Sequence, residues 1–417
     1  MQTWKDILHN FISLVSAELF SKLIAFFTTV YLARVITPEG FGIIGFATAF
    51  ISYFLLFIDL GLDTISLKKI SNDQTVVGRY VNNIISFRLL ISIIVYLLLF
   101  LIILLLNIET VQKAAILLLG LNLFVQSITL DFVFQATEKI KYLSIKVISK
   151  NLLTLILVLI FVRNISDVLL VVFIFVLTNL AVSIWMLKKY SNIFESFKWS
   201  IDYGFVKKIV AESFPLAISA FMISIYYNLD MVMLGMIKTE TEVGIYNAVY
   251  RIFMIGILPI GVIVKILLPS ISRILEKDKL INSLIKYGIM LLVTSVIVSV
   301  VFYFFAEELL IIIFGKQYIA GTYALMIISF NIAVIGVNVF FGNPLTVWGK
   351  QRQYAVAITF GAIANILLNI ILIPKYSYNG AAFATLLSEV VVFVGVFYLF
   401  SNNLKSIIVG KNRNADY

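Results

Sequence analysis

The 417-residue chain is 61% hydrophobic and 13% charged, with a mean hydropathy of +1.05, whereas a soluble domain is roughly 45–50% apolar and about 25% charged; it has too little polar surface to face water. With no cysteine and a single histidine, His9, it has no disulfides, thiolate nucleophiles or Cys/His metal clusters. The formal charge of +10 reads in such a composition as a membrane-topology signal, not as a nucleic-acid footprint.

A hydrocarbon core about 30 Å thick takes about 20 residues per helix. Apolar segments near 8–34, 41–65, 82–106, 112–136, 142–162, 167–187, 209–236, 243–268, 284–305, 319–347, 354–373 and 380–400 predict an all-α membrane protein of about twelve transmembrane helices. Glu18 and Lys22 interrupt the first apolar run and no small-residue cleavage site closes it, so it reads as a span and not as a signal peptide. Ahead of the second span, Thr37-Pro38-Glu39 offers a threonine cap, a proline for the first helical turn and an acid for the positive end of the dipole. Gly40-Phe41-Gly42-Ile43-Ile44-Gly45 formally matches the dinucleotide fingerprint, but that pattern has meaning only between a strand and a helix. Opening a membrane span, it predicts close helix packing.

The longest polar connection, about Lys188 to Lys208, divides the chain into an N-terminal six-helix bundle (1–190), a cytoplasmic linker (191–208), a C-terminal six-helix bundle (209–400) and a cytoplasmic tail (401–417). An even number of spans per half makes the halves parallel repeats. A shift of 202 positions pairs Leu14 with Leu216, Thr37 with Thr239 and Gly42 with Gly244. Sorted by loop, roughly 22 basic residues fall on the even side, Lys139, Lys141, Lys146 and Lys150 among them. Roughly six fall on the odd side: Arg34, Lys113, Arg163, Lys238, Lys316 and Lys375. The bias places both termini in the cytoplasm.

Charges at membrane depth cost a few kcal/mol unless they meet a partner or a wet cavity. Glu18 and Lys22 on the first span, Arg251 on the eighth and Glu389 on the twelfth lie deepest. Glu18 and Lys22 share a helix face, which suits a structural ion pair as readily as a substrate site. Arg251 has no opposite charge within a turn of its own helix, which favours a place on the cavity wall. Asp59, Asp131 and Asp230 lie nearer span ends, and Arg88 and Lys265 are close enough to the cytoplasmic surface to snorkel; anchoring or capping is the simpler reading for these five. The candidate cavity set is Arg251, Lys22, Glu18, Glu389, Asp131 and Asp59. The chain shows no Ser/His/Asp set and no phosphate-cradling loop, so transport is preferred to catalysis and no cofactor is expected.

Three stretches carry a family likeness: Tyr31 to Ser71, with its Glu-Gly-Phe-Gly turn and Asp-Leu-Gly-Leu; Leu229 to Ser272; and Gly342 to Glu389. In them the sequence resembles the O-antigen (Wzx-type) polysaccharide flippases of the multidrug/oligosaccharidyl-lipid/polysaccharide (MOP) superfamily. The resemblance implies a MATE/MOP-like fold of two six-helix bundles around a central cavity that opens alternately to each side. Its implied substrate is an undecaprenyl-pyrophosphate-linked oligosaccharide, carried from the inner to the outer leaflet of the bacterial cytoplasmic membrane. Besides this glycan and membrane lipids, the implied partners are a coupling ion (H+ or Na+) and polymerase and chain-length proteins. In related peptidoglycan-lipid flippases an arginine after a Gly-x-Tyr turn, with Pro-x-Gly downstream, faces the cavity. The matching residues are Gly244, Tyr246, Arg251, Pro259 and Gly261. Those relatives also carry basic residues on their first two spans; Lys22 matches one, whereas the second span here has no deep Lys or Arg.

Three alternatives make other demands. A cation-coupled multidrug antiporter lines its lumen with acids, for which Glu18, Asp59, Asp131 and Glu389 are available. A polysaccharide polymerase needs a large extracytoplasmic loop, and no odd-side loop is long enough. A structural scaffold leaves the deep charges without a purpose.

Overall fold

Backbone N–H and C=O groups in hydrocarbon find no water, so a chain of this composition must satisfy them within its own segments. The computed structural model describes the backbone of residues 4–272 and 277–408 and the side chains of residues 20–267 and 281–404. Among these, all regular structure is helical.

The N-terminal part contains α1 (Trp4–Val35), α2 (Thr37–Asp59), α3 (Leu62–Asn72), α4 (Val77–Leu105), α5 (Thr110–Gly120), α6 (Asn122–Ser127), α7 (Asp131–Ala136), α8 (Ile140–Phe161) and α9 (Val168–Ile193). There follow α10 (Tyr203–Ile237), α11 (Glu240–Ser272), α12 (Lys277–Phe304), α13 (Ala306–Ile313), α14 (Thr322–Val347) and α15 (Gln351–Ile408). Ten stretches of the described residues have the length and composition to cross a membrane, one of them made of α5, α6 and α7 together. The last is two spans joined at Ser377, whose φ of 52° and ψ of −134° break α15. With the 32-residue α1 that makes twelve helices long enough to cross a membrane, as the sequence predicts.

The chain forms two compact units, residues 1–228 and 229–417, with α10 contributing to both. In the first, α1 packs on α8, α2 on α5, and α3 on α7. Its core gathers Leu62, Val81, Ile84, Phe132, Phe134 and Tyr190, none more than 2% exposed. Leu90, Ile94, Leu97, Leu101 and Leu104 of α4 are instead exposed; their helical spacing makes one apolar stripe, the surface a bilayer covers. In the second unit α14 packs against α11, α12 and α15, and Phe341 meets Phe397 and Phe400 edge-on.

The corner between α2 and α3 depends on Gly61, at φ 74°. A Cβ there would sit 2.8 Å from the Ser213 carbonyl oxygen, so both conformation and space require glycine. Gly40 packs as expected: a Cβ would meet Val168 of α9 at 2.6 Å.

One expectation is corrected. Thr37 does not cap α2: the capping position is Ile36, which makes no side-chain bond, and Thr37 itself has φ 61°. A cap needs extended backbone that aims the hydroxyl at the next turn's N–H groups. Its counterpart Thr239 does make the capping bonds. Thr239 Oγ1 accepts from the Glu242 N–H at 3.4 Å, and Glu242 Oε2 accepts from the Thr239 N–H at 3.1 Å.

Candidate functional site

The most concentrated buried polar chemistry in the second unit centres on Asp230, 5% exposed on α10. Its Oδ2 accepts from the Tyr246 hydroxyl of α11 at 2.7 Å and faces the Thr385 hydroxyl, beyond the α15 break, at 2.6 Å. Its Oδ1 accepts from Asn369 Nδ2 at 2.5 Å, and the same amide group donates to Asn365 Oδ1 at 3.0 Å. Thr385 also lies 3.0 Å from the Ala381 carbonyl, but its one proton can serve only one acceptor. Asn369 Oδ1 is buried without a hydrogen-bond partner. Asp230 is thus the one carboxylate in a net of hydroxyl and amide groups drawn from three other segments. Asp230, Tyr246, Asn369 and Thr385 lie six to eight residues from Ile237, Glu240 and Ser377, about 9–12 Å along their helices.

This corrects the reading of Asp230 as a terminal anchor. Position along a span gave the wrong answer because its partners come from three other segments, up to 155 residues away. The legible signal was the i, i+4 pair of asparagines on the eleventh span, beside a threonine on the twelfth.

The other predicted residues are spread through the fold. Glu389, 7% exposed in α15, accepts at Oε2 and at its backbone carbonyl from Asn338 Nδ2 of α14. Arg251 is exposed on α11, about 17 Å along that helix from Glu240. Lys22 is exposed on α1, and the side chain of Glu18 lies outside the described residues.

In the first unit Asp59 accepts from the Gly61 N–H at 3.1 Å, closing the α2–α3 corner. Arg88 reaches it from α4 at 2.6 Å, Asp63 at 2.9 Å and the Ile58 carbonyl at 3.2 Å. The Arg88 side chain is 0% exposed, so it does not snorkel: two carboxylates and a carbonyl outbid the headgroups. Asp131 opens α7 and pairs with Lys146 of α8 at 2.6 Å. Lys146 and Lys150, counted by sequence among cytoplasmic loop residues, stand six and ten residues inside α8. That helix of 22 residues is about 33 Å long, which puts Lys150 near its middle. Polar residues at the start of α8 hid that depth.

Residues 7–275 match the family described as "Polysaccharide biosynthesis protein", well over half of the chain. The chain belongs to this family. A "Capsular polysaccharide biosynthesis protein CapF" of Staphylococcus aureus is 26% identical, over 94% of this chain and 98% of that one. A protein of Escherichia coli (strain K12), provisionally named an O-antigen transporter, is 26% identical over 96% and 97% of the two chains. Among solved structures, the lipid II flippase MurJ in an inward closed conformation superposes with a TM-score of 0.76, at 14% identity and covering 97% of this chain and 94% of that one. An inward-facing multidrug resistance MATE transporter of the MOP superfamily gives 0.72, at 13% identity over 96% and 99%. This family member therefore has the all-α MATE/MOP-like fold.

On that fold, this polysaccharide biosynthesis protein carries two kinds of membrane-depth chemistry. Arg251, Lys22 and Lys150 are cations able to meet an anion as fork donor and point charges. The Asp230 cluster is a buried acid held by hydroxyl and amide groups, and an ionisable residue within a membrane span marks a candidate ion or proton site.

Proposed function

We propose that this multi-pass membrane protein is a flippase for undecaprenyl-pyrophosphate-linked oligosaccharide repeat units of the O-antigen or capsular type. It carries them from the inner to the outer leaflet of the bacterial cytoplasmic membrane by alternating access, with its N- and C-termini in the cytoplasm and no catalytic step of its own. The observation that carries this reading is Arg251: a cationic residue placed near the middle of an apolar helix, in a member of a polysaccharide biosynthesis family. Sugar hydroxyls and a pyrophosphate cannot cross hydrocarbon unsatisfied, whereas the prenyl tail can remain in lipid. Arg251 holds the pyrophosphate.

An inside-negative potential favours outward movement of an anion by about 2.3 kcal/mol per charge per 100 mV. The Asp230 cluster supplies the site for a coupling ion, H+ or Na+. A cation-coupled antiporter of other solutes is the second reading, and the buried acids Asp230 and Glu389 are what favour it.

The test is purified protein in liposomes holding a fluorescent undecaprenyl-pyrophosphate saccharide, with leaflet exchange read by quencher access. Losing a hydrogen bond to a charged group costs about 1.5–3 kcal/mol, so Arg251→Gln lowers the rate roughly 10- to 150-fold in protein that melts like the wild type. An unchanged rate overturns the assignment of Arg251, and no exchange by the wild type overturns the flippase.

A further inference from the structure

The first unit contains a small, partly open pocket, mostly apolar with a few amide and hydroxyl groups, that the transport reading above does not use. Its volume is about 140 Å³ and it is lined by Thr48 of α2, Asn122 and Gln126 of α6 and Asn179 of α9, over an apolar floor that includes Ile51 and Leu119. Leu119 and Asn122 flank a break in the helix: α5 ends at Gly120 and α6 restarts at Asn122. Asn122 Nδ2 then donates to the Leu119 carbonyl at 3.1 Å, and Asn179 Nδ2 donates to Asn122 Oδ1 at 2.9 Å. These two bonds fix the asparagines and leave each amide with a further N–H and further lone pairs. Neither Gln126 nor Thr48 has a side-chain hydrogen bond to the described residues. Thr48 is exposed while its neighbours from Gly40 to Ala47 and from Ala49 to Ile51 are buried.

Thr48 and Asn179 each stand 11 residues into their helices, about 17 Å along and near the middle of a core about 30 Å thick. At that depth unspent amide and hydroxyl groups are costly unless something hydrogen-bonds them. The lining has no charged side chain, so neither phosphate nor a cation finds a counter-charge there. A hole of about 150 Å³ accepts benzene, a six-membered ring. A pyranose is larger than benzene, but this pocket is open on one side, so part of a sugar ring can enter, its hydroxyls meeting the amides and its C–H face the apolar floor.

We propose that this cavity is a hydroxyl-reading subsite that takes one sugar ring of the lipid-linked glycan; the proposal rests on the flippase reading and assigns its glycan contact. Neutral amides and a hydroxyl read the sugar in this pocket.

The experiment measures binding of two lipids to the purified full-length protein by native mass spectrometry. One is the pyrophosphate-linked glycan extracted from the source organism, the other undecaprenyl pyrophosphate without sugar. Gln126→Leu and Thr48→Val remove hydroxyl partners while leaving the Asn122–Asn179 bond intact, and thermal melting checks that each is folded. Each is expected to weaken binding of the glycan lipid about tenfold and to leave the sugar-free lipid within twofold of wild type. Arg251→Gln is expected to weaken both. If wild type binds both lipids and the two pocket variants bind the glycan lipid normally, or lose both lipids equally, the sugar subsite falls while the flippase reading stands. Wild type that binds neither lipid overturns both.

Discussion

Replacing Arg88 by methionine tests whether a charge triad holds the α2–α3 corner. The side chain is 0% exposed and bonds Asp59, Asp63 and the Ile58 carbonyl. Its removal leaves two carboxylates facing each other at the end of a membrane helix. Breaking a buried pair by deleting one partner costs about 3–5 kcal/mol. Because the two acids are 29% and 30% exposed, water screens part of this, and a cost of about 2–3 kcal/mol is expected. For a unit of this size 1 kcal/mol moves the melting point by roughly 2–4 °C, so Arg88→Met should melt about 4–12 °C lower in a fluorescence-detected melt in detergent. Adding Asp59→Asn and Asp63→Asn to Arg88→Met removes the stranded charges and should recover part of the loss, as neutral replacement of a whole buried ion set often does. A single variant melting within a degree of wild type, or a triple variant worse than the single by the full sum of its parts, refutes the triad.

Three further outcomes follow from the geometry. Asp230→Asn removes the one charge of its cluster, so any stabilisation of the wild type by Na+, or by protons over an acid titration, should disappear from its melting curve; an unchanged ion response rules the cluster out as the coupling site. Asp202 accepts from the Phe205 N–H and from Arg79, which hold its carboxyl below the ordinary aspartate value of about 3.9. Its contribution is therefore present above that value and lost only as pH falls through the lower folded value. The difference in melting between wild type and Asp202→Asn should be small and constant from neutral pH to about pH 5, closing only in stronger acid; a difference that closes near neutrality contradicts this. Gly40→Ala forces Val168 away from a contact of 2.6 Å at an overpacking cost of about 1–3 kcal/mol, read as a lower melting point, and an unchanged melt shows that α2 and α9 are not closely packed there.

Hydropathy determined the membrane class and the dozen apolar segments, and the glycine pattern the packing role of Gly40, because each is a local sum over one segment or a short-range steric demand. Arg251 and Glu389 were also legible as deep charges, since depth along a long apolar run can be counted. The tertiary structure alone decided which polar residues meet. Asp230, Asn369 and Thr385 are separated by up to 155 residues, and Asn122 and Asn179 by 57, distances over which no periodicity persists. The same holds for Arg88, whose position near a span end suggested a headgroup until Asp59 and Asp63 were found beside it, and for Lys150, whose depth depends on where α8 begins. In hydrocarbon an apolar residue needs only a segment, whereas a polar one needs a partner, and only helix packing supplies it.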